Sequence, residues 1–124
     1  MITVWSIVFE EMVDKVCDDL IGSTWAHYTD VRNIPHEEGI YVIGVKKRGQ
    51  RAVRYLYLGQ SKDVHNRLRD HKYGIQDIDQ FVRRQFQQNG GKHLRVKWVK
   101  EPRHKKKERN YIKCVEYKLG YKLK

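Results

Sequence analysis

Two runs of β-branched and aromatic residues, separated by a short polar turn, constrain the fold of this chain more than any other feature. They occupy positions 40–46 (IYVIGVK) and 53–58 (VRYLYL), and the turn between them is KRGQRA. Such residues favour extended backbone, and two runs joined by a short turn predict an antiparallel hairpin. The segment LRVKWVK at 94–100 alternates apolar and basic residues, which predicts a further half-buried strand.

Apolar residues spaced three and four apart predict helices on both sides of these strands. The first helix runs from about Ser6 to residue 21, with Ser6 as its N-cap and Gly22 as its stop. The other predicted helices are a short one within 61–72 capped by Ser61, one at 77–88, and a last one at 105–119. This order of elements predicts a compact α+β domain.

Composition favours a polyanionic partner. The chain has 124 residues, enough for one domain, and 26 Lys and Arg against 15 Asp and Glu give it a formal charge of +11. A solubility surplus is the alternative explanation of this charge. No apolar run reaches the length of roughly 18 residues that spans a membrane, and the acidic start lacks the layout of a signal peptide. An intracellular protein (cytoplasmic, nuclear or nucleoid) is therefore expected.

The two cysteines, Cys17 and Cys114, lie far apart in the sequence and both fall in helical patterns. Neither has a second Cys or a His at ligand spacing, which argues against a metal site. We expect both to be reduced, partly buried core residues of an intracellular protein, and a disulfide between them is not expected.

The segment from Gly39 to His71 contains the most specific motif. It reads Gly39-Ile40-Tyr41, then Tyr57-Leu58-Gly59, then Arg67 and His71. This combination resembles the GIY-YIG nuclease family, with Leu replacing Ile in the second tripeptide. The resemblance covers roughly residues 34–123. It implies an α+β fold with a three-stranded antiparallel sheet flanked by helices, as a nuclease domain at 34–124 on which residues 1–33 pack as an extra N-terminal helix and connector.

Arg67 and His71 are one helical turn apart, so their side chains can converge on a single point. A guanidinium beside an imidazole suits a negatively charged phosphodiester oxygen. The alternative is structural: a salt bridge formed by Arg67 and a hydrogen-bonded His71 at the helix end.

Tyr41 and Tyr57 fall on the two strands of the predicted hairpin, where tyrosines most often serve packing. Tyr55 lies two positions before Tyr57 and is expected to share its sheet face. Of these three tyrosines, only Tyr57 has a glycine within two residues after it, Gly59, where a backbone could approach a phosphate. Tyr57 is therefore the preferred site residue, with Tyr55 a possible neighbour.

Family members also need a metal-binding glutamate on a late helix, for which Glu101, Glu108 and Glu116 are candidates. Glu101 precedes Pro102 and lies outside the helical pattern, and Glu116 falls at the edge of the apolar arc. Glu108 points along that arc, where a carboxylate is costly unless it is paired or bound to a cation. An exposed Glu108 that favours the helix dipole is the alternative.

The resemblance implies hydrolysis of DNA with one divalent ion, Mg²⁺ or Mn²⁺, held by Glu108. Tyr41 would act as general base or would orient the water, aided by His71, and Arg67 would stabilise charge on the phosphoryl oxygens. Tyr57 would position the phosphate or the water. The expected substrate-binding residues are Gly59, Ser61, Lys62, Arg69, Lys105, Lys106 and Lys107, with Lys72, Arg83 and Arg84 as further flanking basic residues. A monomer or weak homodimer without a membrane partner is expected.

Two other functions remain open. Family members often carry an Asn after the last helix, whereas this chain has Lys122-Leu123-Lys124 there. A GIY-YIG-like module that binds nucleic acid with weak or no cleavage is therefore the main alternative. A basic structural or ribosome-associated RNA binder is the other.

Overall fold

One antiparallel sheet organises residues 17–123, the part of the chain that the computed structural model describes. Its strands are β1 (Ala26–His27), β2 (Gly39–Val45), β3 (Arg54–Ser61) and β4 (Leu94–Lys100), in the order β1-β4-β2-β3. The predicted hairpin is β2 and β3, and β4 has the predicted bounds. The prediction of three strands is wrong by one, because β1 pairs Ala26 with Val96 inside the segment predicted to be a connector.

Helices flank the sheet as predicted for an α+β domain. They are α1 (Val64–Asp70), α2 (Asp77–Asn89) and α3 (His104–Leu119), with a 3-10 helix at Tyr28–Asn33 and helical turns at 17–22. Most of the helix predicted from Ser6 lies outside the described residues. The cap of α1 is not Ser61, which ends β3, but Asp63, whose carboxylate accepts from the backbone N–H of Asn66. Within residues 17–123, none of the helices has the length and apolar character needed to span a bilayer.

The middle strand β2 is buried on both faces, and this divides the core in two. Tyr41 and Ile43 pack on one face against residues of α1 and α2, while Ile40 and Val42 pack on the other against α3 and Leu20. Every residue of β2 is buried. A strand covered on both faces needs a continuous apolar run, which explains the unbroken sequence IYVI.

A bulge in β3 places Tyr55 and Tyr57 on opposite faces of the sheet. Ile43 pairs with Tyr57, and the next residue, Gly44, pairs with Tyr55, so Leu56 has no partner in the register. An extra residue in one strand reverses the side-chain alternation beyond it. Tyr57 therefore packs with the Tyr41 face and Tyr55 with the α3 face. The prediction that both tyrosines share one face is wrong.

Cys17 and Cys114 form a disulfide that joins the helical turns at 17–22 to α3. The prediction of two reduced cysteines is therefore also wrong. The two residues are 97 positions apart, and only the packing of both segments on one face of the sheet brings them together. The spacing of residues along the sequence does not reveal such packing between distant segments.

Candidate active site

Tyr41 on β2 and His71 at the C-terminal end of α1 form the centre of the site. The Tyr41 hydroxyl lies 2.7 Å from Nε2 of His71, and both side chains are completely buried. The backbone N–H of His71 donates to the carbonyl of Arg67, so the last turn of α1 directs the imidazole towards the sheet. The structure thus brings together the first tyrosine and the histidine of the motif.

Gly59 makes room for the Tyr41 ring. The two residues are directly opposite each other across β2 and β3. A Cβ added at Gly59 would collide with the hydroxyl end of Tyr41 and lie 2.9 Å from the ring of Tyr57. Gly59 was predicted to let a backbone approach a phosphate, but in this structure the space above it holds the Tyr41 side chain.

Tyr57 forms the more accessible edge of the same cluster. Its ring centroid lies 6.2 Å from that of Tyr41 and 5.7 Å from that of His71. The Tyr57 side chain is half-buried, and its hydroxyl interacts electrostatically with that of Tyr41. Of the two tyrosines, Tyr57 is the one that can meet a molecule from outside.

Arg67 provides a positive charge beside these hydroxyls. Its guanidinium acts electrostatically on Tyr41, Tyr57 and His71. Arg67 is half-buried, and its guanidinium forms no hydrogen bond or ion pair with any side chain or carbonyl of the described residues. The structure therefore does not show the salt bridge of the structural alternative, but it does show the other part of that alternative, a hydrogen-bonded His71 at the end of the helix.

Glu108 is the glutamate that reaches this cluster. Burial raises the pKa of Tyr57 and the charge of Glu108 adds to that increase, while partial burial raises the pKa of Glu108 itself. Among the described residues no side chain pairs with Glu108. By contrast, Glu101 is buried and accepts from Arg103 and from the Tyr111 hydroxyl, and Glu116 accepts from the backbone N–H of Leu123. Glu108 is thus the candidate whose carboxylate is still available to a cation.

Sequence reasoning missed Asp79, a buried acid on α2. Its Oδ1 lies 2.5 Å from Nδ1 of His71, on the ring side away from Tyr41, and the residue is 1% exposed. A carboxylate eight residues after a histidine, on a different helix, has no spacing that signals contact. The available signal was its position next to Ile78 in the apolar pattern of the predicted helix, where a solvated acid is not expected.

Burial dominates the acid–base properties of the cluster. It raises the pKa of Tyr41 well above the ordinary value, with a further increase from Tyr57, and Arg67 opposes both. It also lowers the pKa of His71, which the hydrogen bond to Asp79 partly restores. At neutral pH the cluster therefore contains a neutral imidazole and protonated phenols.

The predicted phosphate-contacting residues surround the cluster at different degrees of exposure. Ser61 holds the turn before α1, because its hydroxyl accepts from the N–H of Asp63 and donates to its carbonyl. Arg69 is exposed and pairs with Asp70. Lys62, Lys105 and Lys106 are exposed, and the lysines 105–107 occupy the first turn of α3 directly before Glu108. Ser61 is thus engaged locally.

A single carboxylate limits which metal the site could hold. Residues 17–123 contain no group of three or more His, Cys, Asp or Glu side chains that could hold an ion. Mg²⁺ keeps several waters and is often bound by one or two carboxylates together with substrate phosphates, and Mn²⁺ also prefers oxygen ligands. Glu108 fits such an ion, which substrate oxygens and water would complete.

Comparisons of this chain with protein-family models, curated proteins and solved structures give no match. The GIY-YIG resemblance therefore remains a prediction from the motif between Gly39 and His71 and from Glu108.

Proposed function

We propose that this protein is a metal-dependent endonuclease that hydrolyses DNA phosphodiester bonds at the cluster of Tyr41, Tyr57, Arg67, His71 and Glu108. The observation that carries the proposal is the position of the half-buried Tyr57 side chain, on which both Arg67 and Glu108 act electrostatically. Neither the Arg67 guanidinium nor the Glu108 carboxylate has an ion-pair partner within residues 17–123. A phosphodiester bound beside Tyr57 would pair directly with the Arg67 guanidinium, and a metal ion would bridge it to the Glu108 carboxylate.

Arg67 is suited to the phosphoryl oxygens. A guanidinium donates two parallel hydrogen bonds to a phosphate and keeps its charge at every physiological pH. Because Arg67 has no partner among the described side chains, binding a phosphate breaks no existing ion pair. Its charge would stabilise the negative charge that develops on the phosphoryl group during attack.

The tyrosines and His71 are suited to activating the attacking water. A phenol at its ordinary pKa near 10 is a weak source of base at neutral pH, and burial raises the pKa of Tyr41 further. The neutral imidazole of His71, 2.7 Å from the Tyr41 hydroxyl, provides an acceptor for the proton that the hydroxyl must lose.

Glu108 would hold the divalent ion. When bound, the ion supplies positive charge for the leaving 3′ oxygen. Ionisation of Glu108 is disfavoured by its partial burial, and a cation at this carboxylate reverses that effect. The same carboxylate therefore gains more from a metal than a fully solvated one would.

DNA is the partner that the charge favours. The formal charge of +11 attracts polyanions in general, and contacts from lysines to phosphates give salt-dependent affinity without sequence reading. A monomer or weak homodimer remains our expectation. An intracellular location also remains a prediction, although the Cys17–Cys114 disulfide removes the reduced cysteines that supported it.

Conversion of supercoiled plasmid to nicked circles tests the proposal. Wild-type protein with Mg²⁺ or Mn²⁺ is expected to nick the plasmid, and excess chelator is expected to abolish nicking while leaving gel retardation at low salt. A protein that retards the plasmid but never nicks it with either ion would be a nucleic-acid-binding module. Preference for structured RNA with no metal requirement would favour the RNA-binder alternative.

A further inference from the structure

Asp79 uses both of its carboxylate oxygens inside the protein. Oδ1 lies 2.5 Å from Nδ1 of His71, and Oδ2 accepts from the backbone N–H of Gln76 at 3.0 Å. The side chain is almost completely buried. A buried carboxylate is retained only when its lone pairs are satisfied, so both hydrogen bonds fix its orientation.

The loop before α2 is built around this carboxylate. A Cβ at Gly74 would collide with the Asp79 carboxylate, so only glycine allows the loop to close over it. Arg83, one turn further along α2, donates to the carbonyls of Lys72 and Gly74. The loop thus holds Asp79 against His71 from the side opposite to Tyr41.

The number of available hydrogens fixes the direction of the whole chain of hydrogen bonds. A carboxylate only accepts, so Nδ1 of His71 must carry the hydrogen that faces Asp79. In a neutral ring Nε2 is then an acceptor, and it takes the single hydrogen of the Tyr41 hydroxyl. With its only hydrogen on Nε2, the Tyr41 oxygen can only accept a hydrogen from the neighbouring Tyr57, the half-buried member at the edge of the cluster.

We propose that Asp79 is a positioning residue that holds His71 in the Nδ1–H tautomer, so that a proton can pass from Tyr57 through Tyr41 to Nε2 of His71. The proposal rests on the nuclease function proposed above and specifies its base. Tyr41 and His71 are fully buried, so Tyr57 is the hydroxyl that meets the attacking water.

The proton transfers balance without any further reagent. Water gives a proton to the Tyr57 oxygen as its own oxygen attacks phosphorus, and the Tyr57 hydrogen moves to Tyr41. The Tyr41 hydrogen moves to Nε2, and His71 becomes an imidazolium with hydrogens on both nitrogens. The charge of Asp79 stabilises that cation, as a carboxylate does for the histidine of a catalytic triad. The proton returns to solvent or to the leaving oxygen after bond cleavage.

Asp79→Asn is the diagnostic substitution. An amide has one oxygen, so it can accept from His71 or from Gln76 but not from both. If its oxygen keeps the backbone hydrogen bond to Gln76, its NH₂ faces Nδ1, and the hydrogen of His71 moves to Nε2. The imidazole then donates to Tyr41 and can no longer receive its proton.

The tautomer can be observed directly by NMR of protein labelled with ¹⁵N at histidine. The protonated and unprotonated ring nitrogens of a neutral histidine have well-separated ¹⁵N shifts, and a His71→Gln spectrum assigns the His71 signals. We expect Nδ1–H in the wild type and Nε2–H in Asp79→Asn. Asp77→Asn, two residues earlier and exposed, is the matched control and should leave the wild-type tautomer unchanged.

Nicking rates provide the second readout. Asp79→Asn should lower the single-turnover rate at least about 100-fold with unchanged DNA affinity, and the acidic limb of its pH–rate profile should move to lower pH. This shift is expected because Asp79 raises the pKa of His71, an effect that a merely structural residue would not have. The charged and titratable groups facing His71 are Asp79, Arg67, Asp70, Tyr41 and Tyr57.

The outcomes separate this proposal from the nuclease function. An Nε2–H tautomer in the wild type would overturn the role of Asp79 even if the protein cleaves DNA. An Asp79→Asn protein that is folded and nicks at the wild-type rate would overturn it as well. If the tautomers are as expected and no DNA is cleaved under any metal condition, the positioning role of Asp79 stands and the nuclease function fails.

Discussion

The hydroxyl of Tyr41 lies 2.7 Å from Nε2 of His71, in a place that solvent does not reach. This contact links β2 to the end of α1 and makes the tyrosine and the histidine of the motif one unit. Every buried tyrosine hydroxyl needs a hydrogen-bond partner, and here the partner is an imidazole that can accept a proton. A hydroxyl hydrogen-bonded to a neutral imidazole can lose its proton without being exposed to water.

Replacing Tyr41 with Phe removes this hydroxyl while keeping the ring that covers Gly59. We expect nicking to fall by at least about 100-fold, a typical loss for an acid–base group, with little change in DNA affinity because Tyr41 is buried. Leaving Nε2 of His71 without a donor should lower the free energy of unfolding by about 1–3 kcal/mol. Single-turnover nicking, gel retardation and urea unfolding measure the three effects.

Tyr55→Phe is the control for Tyr41→Phe. Because of the bulge at Leu56, Tyr55 packs on the opposite face against Trp25. Its loss of a hydroxyl should leave nicking within about twofold of the wild type. An equal loss of activity in both variants would contradict the placement of the site on the Tyr41 face.

Arg67→Lys tests whether the shape of the guanidinium matters or only its charge. Lysine keeps the positive charge but cannot form the bidentate contact, so we expect nicking to fall about 10–100-fold with a smaller loss of DNA affinity. Arg32→Lys is the control, because Arg32 is exposed and lies outside the predicted site residues. Comparable losses in the two variants would show that Arg67 makes no defined phosphate contact.

The Cys17–Cys114 disulfide should stabilise the fold. It closes a loop across 97 positions of sequence, and a disulfide of this span typically contributes about 2–4 kcal/mol. The free energy of unfolding of the wild type, measured in urea, should therefore fall by this amount when dithiothreitol is added. Dithiothreitol should not change the free energy of unfolding of the double variant Cys17→Ser and Cys114→Ser. If the reductant does not lower that of the wild type either, the disulfide is contradicted.

The titration of Lys97 should make the stability of the fold depend on pH, whether or not the protein is a nuclease. It is buried between the rings of Trp25 and Tyr55 and donates to the carbonyl of Ile21, and burial lowers its pKa from 10.5 to about 8. The unfolded chain therefore binds more protons between pH 8 and 10.5. Stability should rise with pH across this window, by up to about 3 kcal/mol.

Lys97→Met is the reference for this measurement. The methionine fills a similar volume and cannot titrate, so the difference between the two unfolding curves isolates Lys97 from the tyrosines that ionise above pH 10. Parallel curves for the two proteins between pH 8 and 10.5 would show that the buried lysine does not titrate in this range.

Local patterns predicted most elements of this fold, and the motif indicated which side chains to consider as a site. Strand β4 shows the reason, because LRVKWVK alternates without interruption and has the predicted bounds. Strand β1 could not be found in this way, since two residues are too short to have a period. Its pairing with β4 follows from the tertiary fold.

The errors in the candidate site have a similar origin. The bulge at Leu56 lies opposite Gly44, and a glycine inside a predicted strand was the one local signal that could have indicated it. Asp79 lies on a correctly predicted helix, but its contact with His71 depends on how α1 and α2 pack. The spacing along one helix predicted that the side chains of Arg67 and His71 lie close together. Contacts between different elements depend on tertiary packing and can be seen only in the structure.

The cleavage rate of Glu108→Gln tests the central claim most directly. Glutamine keeps the shape of the side chain and loses the charge that would hold the metal ion. We expect single-turnover nicking with Mg²⁺ to fall by at least about 100-fold, while DNA retardation stays at the wild-type level. Glu116→Gln on the same helix, which can still accept from Leu123, should nick as the wild type does. Equal nicking by Glu108→Gln and wild-type protein would contradict the assignment of this site.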